Sequence, residues 1–384
     1  MIILTRRRFL QLTTGSILGS VAAVHLNAYG YAFADAPRIE AAAPPAPFGR
    51  VATYGVDIRT DPSVKGKLVR TAKRDEVLPL IEQVVGEAVM SHNDIWFKTT
   101  DGYTYSSWVQ PVFETRNKPR PELLKQPFWG QVTFPYSETH WTPDDLSKRG
   151  VRLYYSSIYR VIGAVQDTNH KWWYQLAEGV TFGPGPYVPA EQIRPLLPDD
   201  LTPLSTDIAK KHIEVDLSKQ LLTAFEDDQP VMTTRVASGY GSNFTPQGDH
   251  RVLFKNPTSR MIGGAGVDYY DLPGVPFPTY ITRSAVAIHG AYWHNDFGRP
   301  RSHGCLNVPA AVALWAWRWT EPYAPYEMYR YHTPNVAKAT LVQVRGKGLN
   351  VNAPAPIAPA VSAPAIAAPA VSAPKAGLGA PAGP

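Results

Sequence analysis

The sequence predicts a mostly β protein with two small β-barrels, a β-rich third domain and a disordered end. Short apolar and aromatic runs alternate with turn residues from about residue 48 onward, as strands of small barrels do. A tryptophan, glycine and proline pattern in residues 48–113 recurs in residues 130–197. Alanine and proline dominate residues 350–384. These three observations set the order of the domains along the 384-residue chain.

The first 36 residues predict an export signal. Residues 6–10 read Arg-Arg-Arg-Phe-Leu, a weakly apolar stretch covers residues 12–24, and residues 34–36 read Ala-Asp-Ala, a small-x-small cleavage pattern. The segment 1–36 resembles a twin-arginine signal, which implies export to the periplasm or cell wall. The apolar run is shorter than the roughly 20 residues of a membrane span. We therefore expect cleavage and no stable membrane span, with retention as an anchor the alternative.

The charge of the chain disfavours a nucleic-acid partner. The formal net charge is +6, and the signal segment, with three arginines against one aspartate, supplies two of these charges. No basic run follows that segment. A mildly basic soluble protein is the simpler interpretation.

Residues 48–113 and 130–197 predict two related barrels. In each, a tryptophan (Trp96 or Trp173) precedes a glycine by six positions, and a proline closes the segment. Residues 57–62, Asp-Ile-Arg-Thr-Asp-Pro, match the opening turn of the bacterial SH3-like domain, which both segments resemble. The resemblance implies a module that holds wall peptides or glycan. The alternative is that these aromatic residues only fill the barrel cores.

The third domain is predicted over residues 207–346. Alternation in 213–217 indicates a strand, and 221–225 with 231–236 indicate a hairpin. A helix is predicted over 309–319, where proline begins a run of alanine, leucine and tryptophan.

The C-terminal segment, residues 350–384, is of low complexity. Residues 358–364 recur ten positions later as residues 368–374. Such a composition buries too little apolar surface to fold, so we expect a disordered, extended tail.

Cys305 is the only cysteine, so an internal disulfide is excluded. It follows His303 by two residues and His289 by sixteen. A thiol needs a base to become the thiolate nucleophile, and an imidazole can take that proton and later return it. Gly290 and Gly304 permit tight turns beside the reacting atoms. The spacing alone does not decide whether His289 or His303 is the base.

Two other interpretations of Cys305 are weaker. A zinc site with His289, His294 and His303 lacks the usual paired ligand spacing. A buried inert cysteine is disfavoured by the polar, glycine-rich surroundings, which include Asn307. We expect no metal and no cofactor.

Several ordered motifs together resemble the L,D-transpeptidase (YkuD-type) catalytic domain over about residues 210–345. They are His-Gly at 289–290, Ser-His-Gly-Cys at 302–305, Thr-Pro-Gln-Gly at 245–248, and Pro-Phe-Pro-Thr-Tyr at 276–280. The resemblance implies a β-rich catalytic domain that acts on peptidoglycan stem peptides in cell-wall assembly.

The resemblance also implies roles for single residues. Cys305 is the nucleophile and His289 the general base, oriented by the backbone carbonyl of Gly290. The residues implied to bind substrate or the oxyanion are Ser302, His303, Gly304, Asn307, Arg301 and Tyr280. A donor stem peptide would form a thioester and release D-Ala, and an acceptor amine would then give an L,D cross-link. Acylation by carbapenem β-lactams is also implied.

Four alternatives to cross-linking stay open. Water as acceptor would give an L,D-carboxypeptidase, and a protein amine would attach a protein to the wall. A non-catalytic wall-binding protein would have no chemical need for both His289 and Cys305. A secreted cysteine protease would need an Asn or Asp that orients the base.

Overall fold

A computed structural model describes residues 47–177, 186–208, 210–242, 244–266 and 269–347. The predicted export signal and the predicted C-terminal tail lie outside the described residues. None of the helices in these ranges is long and apolar enough to cross a membrane. The described chain is mostly β, which confirms the predicted fold class.

Two antiparallel seven-stranded sheets form the N-terminal half of the described chain. The first has the strand order β3-β2-β6-β5-β4-β1-β7. The second has the order β10-β9-β13-β12-β11-β8-β14, in which each strand number is seven higher, so the two sheets have the same strand order. The SH3-like identity of these domains stays a prediction. The strands of the first sheet are β1 (Phe48–Val51), β2 (Gly55–Arg59), β3 (Leu68–Lys73), β4 (Val77–Met90), β5 (Asn93–Thr99), β6 (Tyr103–Tyr105) and β7 (Val109–Val112). Those of the second are β8 (Phe128–Val132), β9 (Tyr136–His140), β10 (Arg149–Tyr154), β11 (Ile158–Gln166), β12 (Trp172–Leu176), β13 (Tyr187–Pro189) and β14 (Ile193–Leu196).

The repeated tryptophans lie in the interior of these two domains. Trp96 and Trp173 are fully buried. Each indole N–H is satisfied, by Glu87 O at 2.9 Å and by Asp167 Oδ2 at 3.0 Å respectively. Buried aromatic rings of this size supply much of the apolar contact in a small domain. For these two side chains the structure therefore favours the core interpretation over ligand binding.

The third domain contains two five-stranded sheets and a two-stranded ribbon. The first sheet has the order β17-β16-β15-β26-β18 and the second β24-β23-β22-β19-β25, while β20 pairs with β21. The first sheet comprises β15 (Lys211–Asp216), β16 (Leu221–Glu226), β17 (Gln229–Arg235), β18 (Gly248–Arg251) and β26 (Leu341–Arg345). The second comprises β19 (Phe254–Lys255), β22 (Thr279–Tyr280), β23 (Ala287–Gly290), β24 (Leu306–Val308) and β25 (Tyr331–His332), and the ribbon β20 (Thr258–Gly263) and β21 (Tyr270–Pro276).

One α-helix, α1 (Ala310–Trp319), follows β24 and packs on β23. It begins directly after Pro309, as the sequence predicts, because proline suits a helix start. Two buried lysines satisfy carbonyls at its C-terminal end. Lys255 Nζ donates to Trp317 O at 2.7 Å, and Lys211 Nζ donates to Trp319 O at 3.1 Å. The last carbonyls of a helix have no partner within the helix, so these two donors satisfy groups that would otherwise be unpaired. The helix therefore fixes the strand that carries His289.

The second N-terminal sheet and the third domain share one hydrophobic core. Buried Trp129, Ile158 and Leu196 belong to the same cluster as the interior of β15, β23 and α1. Trp129 Nε1 donates to Tyr326 O at 2.8 Å across the junction. The two units are thus joined by apolar burial as well as by hydrogen bonds, so we expect them to unfold together.

Replacing Trp129 by alanine tests this shared core. The change removes an indole that is buried between the two units. We expect it to lower the free energy of unfolding by about 3–5 kcal/mol. Chemical denaturation followed by circular dichroism measures the change. Trp141→Ala is the matched control, since this indole is 52% exposed and its loss should change stability by about 0.5 kcal/mol or less. Equal effects of the two substitutions would contradict a shared core.

Candidate active site

The parallel pairing of β23 with β24 brings the two predicted catalytic residues into one site. Ile288 pairs with Leu306, and His289 pairs with Asn307. Cys305 directly precedes β24 and is only partly exposed. Its Sγ donates to Ala285 O at 3.8 Å. In this register Cys305 lies beside Ala287, which is two residues before His289 on the same strand.

His289 is buried and has a defined tautomer. Its Nδ1 lies 3.1 Å from Gly290 O, and since a carbonyl only accepts, the proton is on Nδ1. The other nitrogen, Nε2, is then the proton acceptor. Burial lowers the pKa of the imidazole to about 4, partly opposed by the hydrogen bond to Gly290. The side chain is therefore neutral at physiological pH, as a general base must be.

The Cys305 thiol is also neutral at rest. Burial raises its pKa to about 11, partly opposed by a hydrogen bond from the backbone of Ala287. A thiolate and imidazolium pair would require shifts in the opposite direction. The resting state is consequently a neutral thiol at Cys305 and a neutral imidazole at His289.

The turn before the nucleophile is held by Ser302. Its hydroxyl donates to Cys305 O at 2.5 Å and accepts from Gly304 N–H at 3.1 Å. Gly304 has a φ of +117°, a conformation that L side chains rarely adopt. Ser302 and Gly304 therefore shape the turn itself.

Thr245, from the predicted Thr-Pro-Gln-Gly turn, fastens the cysteine turn to the next segment. Its buried hydroxyl donates to Gly304 O at 2.8 Å and accepts from Gly239 N–H at 2.9 Å. One hydroxyl thus joins two stretches of backbone. The motif found in the sequence has a structural role beside Cys305.

Gly290 permits a close approach between β23, β21 and α1. A Cβ at this position would lie 2.6 Å from Pro276 Cγ and 2.8 Å from Ala310 Cα. Both distances are shorter than van der Waals contact, so any larger residue would push the strand off the helix. The glycine therefore fixes the backbone carbonyl that orients His289.

Aromatic side chains surround the cysteine. Tyr280, which is 6% exposed, stacks on Phe254 and donates to Ser259 Oγ at 3.0 Å. His303 lies against Tyr270, with 4.9 Å between the ring centroids. Tyr270 was not identified from the sequence, since no motif marks it. The hydroxyl and ring of Tyr280 already have partners within the fold. His303 and Tyr270 are partly exposed and form the more open side of the surroundings of Cys305.

Asn307 lies in the interior and not in the open pocket. It is 2% exposed and its amide is 3.1 Å from His294 Nε2. His294 Nδ1 accepts from Asp296 N–H at 3.1 Å, and the Asn307 atom that lies next to Nε2 is the amide nitrogen Nδ2. Burial lowers the pKa of His294 well below its ordinary value. Asn307 and His294 therefore hold the segment that follows His289.

Arg301 is mostly buried, and its Nη1 donates to Asp296 Oδ2 at 2.9 Å. Asp296 is fully buried and was not identified from the sequence, because an aspartate in a polar loop is usually solvated.

Among the described residues, no group of three or more His, Cys, Asp or Glu side chains is arranged to hold a metal ion.

Residues 210–344 match the family profile of the YkuD L,D-transpeptidase catalytic domain. This segment is an L,D-transpeptidase catalytic domain. The match includes the two strands and the motifs described above. No curated protein matches the chain.

Solved structures of L,D-transpeptidases show partial similarity. A cysteine-to-serine mutant of the Enterococcus faecium enzyme is 26% identical, over 36% of this chain and 50% of that chain, with a TM-score of 0.28. The E. faecium catalytic domain acylated by ertapenem is 25% identical, over 36% and 98%, with a TM-score of 0.26. L,D-transpeptidase 3 from Mycobacterium tuberculosis is 14% identical, over 46% and 92%, with a TM-score of 0.28. The chain spans about half the length of the first two structures matched. The TM-scores are low, so the assignment rests on the family profile.

The pH dependence of alkylation tests the neutral thiol in the L,D-transpeptidase domain. Iodoacetamide reacts with the thiolate, so its rate with Cys305 should keep rising from about pH 6 to about pH 10 without a plateau. His289→Asn should leave the shape of this profile unchanged. The rate is measured by intact mass. A plateau at neutral pH that disappears in His289→Asn would instead indicate a thiolate and imidazolium pair.

Thr245→Val tests the clamp on the cysteine turn. The substitution keeps the shape but leaves Gly304 O and Gly239 N–H without their partner, which costs about 1–3 kcal/mol for each buried group. We expect a lower urea midpoint and a changed alkylation rate at Cys305. Thr245→Ser keeps the hydroxyl and should recover most of both. Equal urea midpoints and equal alkylation rates for Thr245→Val and Thr245→Ser would show that the hydroxyl does not hold the turn.

Proposed function

We propose that the chain is an exported L,D-transpeptidase that cross-links peptidoglycan stem peptides through a thioester on Cys305. The observation that carries the proposal is the parallel register of β23 and β24, which sets the neutral Cys305 thiol beside the strand of the buried, neutral His289 imidazole inside the matched catalytic domain. The resemblance of residues 1–36 to a twin-arginine signal supports export to the periplasm or cell wall.

The first half of the reaction uses His289 Nε2 as the base. It takes the thiol proton while Sγ attacks the carbonyl carbon of an L-centre in the donor peptide. The tetrahedral intermediate collapses, the carbon–nitrogen bond to D-Ala breaks, and the imidazolium returns the proton to the leaving amine. A thioester remains on Cys305. His289 is preferred to His303 because the family resemblance assigns the base to the His-Gly motif, and Gly290 O holds His289 Nδ1.

The second half transfers the acyl group. An acceptor amine attacks the thioester, His289 removes the proton of the amine, and the sulfur leaves and is reprotonated. An L,D cross-link forms and the thiol is regenerated. Water as the acceptor would make the chain an L,D-carboxypeptidase, and a protein amine would attach a protein to the wall. The Cys305 chemistry is common to all three.

Backbone amides stabilise the oxyanion in this proposal. Gly304 N–H is already engaged by Ser302 Oγ. The neighbouring amides of His303 and Cys305 are therefore the better donors, and the roles of Ser302 and Gly304 are to hold them in place. Preorganised donors of this kind commonly give the largest electrostatic contribution to acyl transfer.

Carbapenems are proposed as covalent inhibitors by the same route. The E. faecium catalytic domain has been solved acylated by ertapenem. A strained β-lactam carbonyl would present Cys305 with an acyl donor that has no separate leaving group. The adduct should add the full mass of the drug to the protein.

Mass spectrometry with disaccharide-tetrapeptide tests the proposed function. We expect the parent protein to give a covalent adduct or a dimeric muropeptide, and Cys305→Ala to give neither. His289→Gln should slow acylation by about 10²–10⁴-fold, the usual contribution of a general base. The product distinguishes cross-linking from hydrolysis. A folded, reduced parent protein that yields no adduct and no product would contradict the proposal and favour a wall-binding role.

A further inference from the structure

The segment between the base and the nucleophile is docked on the first N-terminal sheet. Arg50 Nη2 donates to Tyr292 O at 2.5 Å. Asn295 donates twice, from its backbone N–H to Ser107 O at 3.2 Å and from Nδ2 to Ser106 O at 3.1 Å. The Tyr154 ring of the second sheet stacks on Tyr292. Residues 292–296 are therefore positioned by the N-terminal domains.

A buried charged cluster forms at this contact. The carboxylate of Asp296 accepts from His92 Nε2 of the first domain at 2.7 Å. It also accepts from Arg299 Nε at 2.6 Å and from Arg301 Nη1 at 2.9 Å. The side chain of Asp296 is fully buried, and those of Arg299 and Arg301 are nearly so. The cluster thus joins two domains in a region of low dielectric.

The cluster carries more positive than negative charge. Two guanidinium groups, Arg299 and Arg301, face the single carboxylate of Asp296. Arg299 Nη2 is buried and has no hydrogen-bond partner among the described residues. The only side-chain hydrogen bond found for Arg301 in the described ranges is the one to Asp296. Of the two arginines, only Arg301 lines a cavity that a further anion could enter. Because an uncompensated buried charge is costly, an anion in that cavity would be stabilised.

A cavity of about 110 Å³ opens beside Arg301, between the two domains. Thr53, Ser107 and Trp108 line it from the first domain, and Trp293, His294 and Arg301 line it from the third. The Trp293 ring lies 5.8 Å from the ring of His289. The Trp293 ring therefore borders both the cavity and His289, and the walls of the cavity come from both domains.

We propose that this cavity is a subsite for one carboxylate of the peptide substrate, bound by Arg301 between Trp108 and Trp293. The proposal rests on the proposed function and names a specificity determinant for it. A planar guanidinium pairs with a carboxylate through two parallel hydrogen bonds, and the two indoles exclude water from the pair. The volume is below that of sites for whole ligands, so it admits one functional group.

The position of Thr53 offers a matched test of charge. It lies on the cavity wall, is partly exposed, and belongs to the domain that carries no catalytic residue. Thr53→Asp places a competing carboxylate beside Arg301, whereas Thr53→Asn has nearly the same shape without the charge. Both variants are made in the full chain with Cys305→Ala, so that binding is measured without turnover.

Calorimetry compares the parent tetrapeptide with a series of variants. In each variant a different single carboxylate is replaced by a carboxamide. With Thr53 present, we expect one exchange to weaken binding about tenfold or more, as expected for a lost charged hydrogen bond. Thr53→Asp should weaken binding of the free carboxylate by a similar factor, and Thr53→Asn by about twofold or less. In Thr53→Asp the parent tetrapeptide and that carboxamide variant should bind alike.

Three results would overturn the subsite. They are equal binding of every carboxylate and carboxamide pair, equal effects of Thr53→Asp and Thr53→Asn, and no binding of any peptide. Turnover by the parent protein is measured separately. Discrimination between the peptides without turnover would sustain the subsite and contradict the transpeptidase proposal, so the two failures are distinguishable.

Discussion

The parallel pairing of β23 with β24 is the constraint on which the candidate active site depends. It places His289 beside the strand that follows Cys305. A parallel pair needs a long connection, and here residues 291–305 supply it without a helix. That connection has to be held by other parts of the chain, because it has no regular structure of its own. Its packing decides how accurately the thiol and the imidazole meet.

The surrounding structure supplies this support from three directions. α1 packs on β23 and requires a glycine at position 290. The Thr245 hydroxyl ties the cysteine turn to the segment at Gly239. The first N-terminal sheet holds residues 292–296 through His92 and the carbonyls of Ser106 and Ser107. The N-terminal domains are therefore part of the support of the site, in addition to any wall-binding role proposed for them.

Burial governs the chemistry of the pair. Desolvation favours the neutral form of both groups, so it lowers the pKa of His289 and raises that of Cys305. A neutral thiol is less open to oxidation or adventitious alkylation than a thiolate. In the proposed reaction the thiolate therefore forms only when both the base and an acyl donor are present, and this protects the sole cysteine of a protein proposed to work outside the cytoplasm.

The sequence by itself determined the mostly β class, the hairpin near residues 221–236, the helix after Pro309 and the family of the third domain, because these depend on local patterns and a few short motifs. Only the tertiary structure decided that Trp96 and Trp173 are core residues, that Asn307 is interior, and that Asp296 joins two domains. Burial, domain docking and the balance of buried charges arise between residues far apart in the chain, which periodicity and spacing do not record.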